Sequence, residues 1–176
     1  MKIKISGGSL WFQAHYYEIQ FELNGAGTAD DPFLITNNQY YNDYDLEYYI
    51  YDSSSYIKFN KILFKSLYLN RCQNIIILDA QLKNLGLNQC SKVLIQNTEI
   101  KKTARLIDSN IIKFADCNLN KLEGFSGDQI LISNCTIKRI SKETEASILV
   151  EHSKLNKLMK KYQKGIHGKD FAIEKS

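Results

Sequence analysis

The chain has 176 residues, 44% of them hydrophobic, with 23 basic against 19 acidic side chains and a formal net charge of +4. This suits one domain over 1–176, because no acidic tail or Pro/Ser linker divides it, and no window approaches the length of a membrane span. The charge is uneven: residues 1–56 carry two lysines against eight acidic residues (−6), and residues 57–176 carry 21 basic against 11 acidic residues (+10).

In chain order, residues 1–56 are expected to form an N-terminal cap and a first coil. The opening Met1–Gly8 lacks the apolar stretch of a signal peptide, so cytoplasmic residence is the expectation. Met1–Leu23 is expected to be a hairpin or edge element that closes the first coil. Within it Tyr17, Ile19, Phe21 and Leu23 alternate as in a strand. Nine of the 11 tyrosines lie between Tyr16 and Tyr56. They suit either aromatic stacking in an irregular cap or a platform on which sugars or bases stack, with nearby carboxylates accepting hydroxyl bonds.

From Ile57 onward the chain repeats every 18 residues. One apolar column is Ile57, Ile75, Val93, Ile112, Ile130, Ile148 and Ile166. A second is Phe59, Ile77, Ile95, Phe114, Ile132 and Val150, and a third is Phe64, Leu82, Ile100, Leu119, Ile137, Leu155 and Ile173. One step of 19 falls at Thr103. Fixed-period self-similarity marks a solenoid whose repeats bury their apolar faces by stacking. Within a repeat the inward pairs Ile75/Ile77, Ala80/Leu82, Leu85/Leu87 and Val93/Ile95 have the two-residue alternation of short strands. Their starts are spaced 5, 5 and 8 apart. A left-handed hexapeptide coil would space them evenly, so the expected fold is all-β, a right-handed parallel β-helix of about seven coils.

A polar column, Asp79, Asn97, Asp116, Asn134, His152 and Asp170 with Lys61 at its head, sits between the first two strand pairs. Asn and Asp tolerate the left-handed backbone of a tight corner. Small residues follow it: Ala80, Thr98, Cys117, Cys135 and Ser153. Upstream runs Gly25-Ala26-Gly27-Thr28-Ala29-Asp30-Asp31-Pro32-Phe33-Leu34-Ile35. On that motif and the Asn/Asp column, the chain resembles the pectin-lyase-like superfamily over residues 25–176. The resemblance implies the fold and leaves activity open, because that superfamily holds lyases, hydrolases, adhesins and non-enzymatic scaffolds.

Candidate functional residues fall into three groups. Lys83, Lys101, Lys102, Lys121, Lys138, Arg139 and Lys157 recur on one outward corner and form a basic ridge, either a solvated face that keeps the rod soluble and discourages lateral stacking or a seat for an acidic polymer. Ile76, Leu94, Leu131 and Leu149 lie between inward columns, so they point outward as an apolar stripe for a homodimer or protein partner, or for a covering segment of the chain itself. Asp108, Glu123 and Glu143 are the carboxylates that a polysaccharide lyase or hydrolase would have to bring together, yet they share no column. The leading expectation is a non-catalytic binding or scaffold module, with that enzyme as the alternative. Cys72 with Cys90 and Cys117 with Cys135 are each one coil apart and are expected to be buried reduced thiols. No zinc spacing, catalytic triad or phosphate loop is present, and no metal or cofactor is expected.

Overall fold

In the computed structural model, residues 2–5, 8–11, 25–36, 47–124, 126–141, 148–155, 166–169 and 172–173 are described. Strands β1 (Lys2–Ile5) and β2 (Gly8–Trp11) form an antiparallel hairpin, within the segment expected to be one. The strand expected at Tyr17–Leu23 lies outside the described residues.

The remaining strands build a parallel β-solenoid of about six turns, where the columns count about seven coils; no helix occurs among the described residues. The first sheet holds β3 (Phe33–Thr36), β5 (Ile57–Asn60), β7 (Gln73–Leu78), β9 (Ser91–Gln96), β11 (Asn110–Ala115), β13 (Ile130–Ser133), β15 (Ile148–Glu151) and β17 (Ile166–Lys169). The second holds β4 (Glu47–Tyr51), β6 (Leu63–Asn70), β8 (Gln81–Asn88), β10 (Glu99–Ile107), β12 (Asn118–Glu123), β14 (Thr136–Ser141), β16 (Lys154–Leu155) and β18 (Ala172–Ile173). Every neighbouring pair in both sheets is one coil apart and parallel.

The apolar columns are the core. Ile57, Ile75, Val93, Ile112, Ile130 and Ile148 pair in register along the first sheet, and each is buried. Phe59 and Phe114 are the largest fully buried side chains. The stack also extends upstream of Ile57, since Phe33 and Ile35 pair with Ile57 and Phe59. The glycine-rich segment delivers Phe33 there. The Ala26 and Thr28 N–H groups both donate to the Asp31 carbonyl, and Tyr56 N–H donates to Gly27 O. A β-carbon on Gly27 would fall 2.2 Å from the Phe33 ring, so only glycine lets the turn close over it.

Corners follow from backbone chirality. Lys61, Asp79, Asn97, Asp116, Asn134 and His152 all have positive φ, as the polar column requires. Two further left-handed columns accompany it: Asp52, Arg71, Gln89 and Asp108, then Asn74, Lys92, Ile111 and Gln129. The residue after each of the first two corner types turns inward and is buried: Ala80, Thr98, Cys117, Cys135 and Ser153 on one side, Ser53, Cys72, Cys90 and Ser109 on the other.

These small residues also bond. Ser109 Oγ donates to Ile107 O at 2.9 Å and accepts the Cys90 N–H at 3.1 Å. Ser153 Oγ does the same between Glu151 O and the Cys135 N–H, at 2.7 and 2.9 Å. Thr98 bridges Gln96 O and the Ala80 N–H, and Cys135 Sγ bridges Ser133 O and the Cys117 N–H. A hydroxyl or thiol one coil on thus satisfies a buried corner N–H that the bent ladder leaves over. All four cysteines are free and buried. The neighbouring thiol one coil on, and then burial, pushes the Cys72 and Cys117 thiols up.

Candidate binding surface

The single step of 19 residues becomes a bulge. The register of β10 against both neighbours shifts after Ile100, and Lys101 and Lys102 lie in the irregular stretch. A bulge re-aims side chains, and both lysines are exposed. Lys121 pairs with Arg139 across β12 and β14, and Lys138 and Arg139 are exposed. Lys83 is half-buried on β8. Together these residues occupy one margin of the second sheet's outer face, while Lys157 lies outside the described residues.

Carboxylates temper that margin. Lys101 Nζ is 3.9 Å from Glu99 Oε2 and 3.5 Å from Gln81 Oε1. Lys121 forms a close ion pair with Glu123, and Arg105 Nε is 3.9 Å from the same carboxylate. Lys65, which the repeat columns did not single out, stands beside Lys83 and pairs with Glu47 at 3.3 Å.

The carboxylate candidates occupy separate settings. Glu123 is clamped between the two cations Lys121 and Arg105. Asp108 occupies a left-handed corner, its N–H donating to Ser126 Oγ at 2.8 Å. Glu143 lies outside the described residues. At the opposite corner Asp79, Asn97, Glu99 and Asp116 line a groove of about 320 Å³. There Asn97 Nδ2 donates to Asp79 Oδ1 at 2.5 Å and Gln96 Nε2 to Asp116 Oδ2 at 3.4 Å. Among the described residues no group of three or more His, Cys, Asp or Glu could hold a metal ion, and no helix is long and apolar enough to cross a membrane.

The apolar stripe runs on the outer face of the first sheet. Ile76 pairs with Leu94, Leu94 with Lys113, Lys113 with Leu131 and Leu131 with Leu149. Ile76, Leu94 and Leu131 are half-buried by their neighbours along the ladder, and Leu149 is 43% exposed. Lys113 interrupts the stripe and Lys58 stands at its head, so its apolar surface comes in two short patches.

The outer face of the second sheet carries a feature that the repeat columns passed over. Tyr49 pairs with Tyr68, Tyr68 with Gly86, Gly86 with Arg105 and Arg105 with Glu123. The Tyr49 and Tyr68 rings stack with centroids 4.8 Å apart, and Tyr51 lies nearly parallel to Tyr49 at 6.5 Å. Tyr68 leans over Gly86, where an added β-carbon would meet its Cδ1 at 2.5 Å. The result is a groove of about 290 Å³ walled by these tyrosines, Asn70, Asn88, Arg105 and Ile107. Tyr49 Oη donates to Glu47 Oε2 at 3.3 Å. Its phenol is pushed above the ordinary value, first by loss of water and then by the Glu47 charge. Tyr68 lies outside the tyrosine-dense stretch that ends at Tyr56, yet Tyr68 and Gly86 stand one 18-residue repeat apart.

No family model, no curated protein and no solved structure matches the chain.

Proposed function

We propose that this chain is a non-catalytic β-solenoid binding module whose basic margin engages a linear acidic polymer. The observation behind this is the β10 bulge, which turns Lys101 and Lys102 outward in the same margin as Lys83, Lys121, Lys138 and Arg139. Adjacent strands in a sheet are spaced about 4.8 Å apart, so cations on successive coils recur at intervals suited to a polymer with repeated negative groups. The pectin-lyase-like resemblance belongs to this reading at its scaffold end, supported by the Asp/Asn corner ladder and the Gly25–Ile35 motif. The Ile76, Leu94, Leu131 and Leu149 stripe is the seat proposed for a second copy or a protein partner.

The test is affinity for heparin, a densely charged linear polyanion, at low and physiological salt. Wild type is expected to bind, with affinity falling steeply as salt rises; contact with about four charges gives a log–log slope of roughly −3. Lys101→Glu combined with Arg139→Glu is expected to abolish binding without altering the thermal midpoint. Binding that ignores salt or survives the double reversal removes the ridge from the proposal.

A further inference from the structure

We infer that the groove over Gly86, between the Tyr68 ring and Arg105, is a seat for a pyranose ring of a glycan chain. Three features of the site lead there. The tyrosine ladder ends at Gly86, which adds no side chain of its own, and the Tyr68 ring leans over it toward Arg105 on the next coil. Gly86 is what allows this, because any β-carbon would push the Tyr68 ring away. An aromatic ring in that pose offers an apolar face with a polar edge, the counterpart of a sugar ring whose C–H faces are apolar and whose rim carries hydroxyls.

The rim of the groove carries groups that can bond a sugar's hydroxyls. Asn70 and Asn88 pair in register along one wall. Asn70 Oδ1 is shut off from solvent and has no hydrogen-bond partner among the described residues, an acceptor for which a buried site ordinarily supplies a donor. Carboxylates stand at both ends of the ladder, Glu47 on the Tyr49 hydroxyl and Glu123 beside Arg105. Both are already engaged, Glu47 by Lys65 and Glu123 by Lys121 and Arg105, so the groove itself offers two amides and one guanidinium to a sugar's hydroxyls, and an oligonucleotide on the same platform is the competing occupant. Apolar walls with a few placed polar groups are the general character of small-molecule seats. Arg105, with its side chain 55% exposed, has room to reach a ring substituent. This inference does not rest on the polyanion reading, because a pyranose stacks whether or not it is charged.

The experiment is titration of the full chain with cello-, xylo-, chito- and galacturono-oligosaccharides at millimolar concentration, followed by calorimetry and by amide and side-chain NMR. At least one of the four is expected to bind, to shift the Tyr49, Tyr68, Asn70 and Arg105 signals of the wild type, and to keep its affinity in high salt. Tyr49→Ala and Gly86→Ala are each expected to weaken it by roughly tenfold or more, with circular dichroism and melting unchanged in kind. Lys101→Glu with Arg139→Glu leaves groove binding in place, which separates this inference from the ridge. The inference is overturned if none of the four shifts the groove signals. It is equally overturned if binding survives both groove variants, or if a single-stranded oligonucleotide occupies the groove and the sugars do not.

Discussion

Ser109 is where the energetics of the corner ladder can be read most directly. Its hydroxyl is fully buried, donates to Ile107 O and accepts the Cys90 N–H from the preceding coil. Ser109→Ala removes both bonds and leaves the Cys90 N–H with no partner in a place water does not reach. A lost neutral bond costs about 1 kcal/mol and an orphaned buried donor about 1–3 kcal/mol, so the expected loss is roughly 2–3 kcal/mol. For a chain of this size that lowers the melting midpoint by roughly 5–10 °C. Ser109→Cys should recover part of it, because the Cys135 thiol already performs this task for the Cys117 N–H at 3.4 Å. Urea unfolding of the wild type and both variants measures the difference. The reasoning fails if Ser109→Ala costs under about 0.5 kcal/mol, or if cysteine at this position is no better than alanine.

Ile111 makes the opposite prediction. It is β-branched, sits at φ 55 and is 47% exposed, whereas the equivalent corner two coils earlier holds Asn74. Ile111→Asn should therefore stabilise the chain by about 1 kcal/mol in urea melts, the penalty of the left-handed conformation being relieved with little loss of burial. On the first sheet, Leu94→Glu with Leu131→Glu should convert any dimer seen by light scattering to monomer while leaving the melt unchanged; a collapse of stability would instead show that the chain covers the stripe itself. Tyr49 sets an alkaline limit. Its folded pKa lies above the ordinary value of about 10, so its contribution is whole below that value and is lost as pH rises through the folded one. Tyr49→Phe should abolish that alkaline arm of the urea midpoint, with tyrosinate absorbance locating the titration.

The solenoid was legible because stacking imposes one chemical demand at one interval. Ile75, Val93 and Ile112 must all be apolar, since each rests on the same residue of the coils before and after it. The Asp79, Asn97 and Asp116 column was legible for a related reason: few L-residues tolerate a left-handed corner, so the composition there is narrow. The first coil escaped the period because Phe33 pairs with Ile57 across 24 positions rather than 18. The small residues after the corners read only as space-savers. Their role as acceptors for N–H groups one coil away needed the rise and bend of the chain, because both partners in that bond are set by stacking and neither by local sequence.

The outer faces divide in the same way. The lysines and leucines were identifiable as outward-facing from the alternation of strand side chains alone. How far each reaches into solvent depends on neighbours in other coils: Glu123 clamps Lys121, and the extra residue in β10 turns Lys101 and Lys102 outward. The tyrosine groove belongs wholly to the tertiary structure. Tyr49, Tyr68, Gly86 and Arg105 stand about one repeat apart in the chain, but no single residue type runs through them, so only the stacked coils show them as one ladder. Only then does the missing side chain of Gly86 let the Tyr68 ring lean over and wall the groove. By itself the sequence determined the periodic backbone, because burial and chirality act at every repeat. Only the tertiary structure decided the surface, because there each side chain answers to the coil above and the coil below.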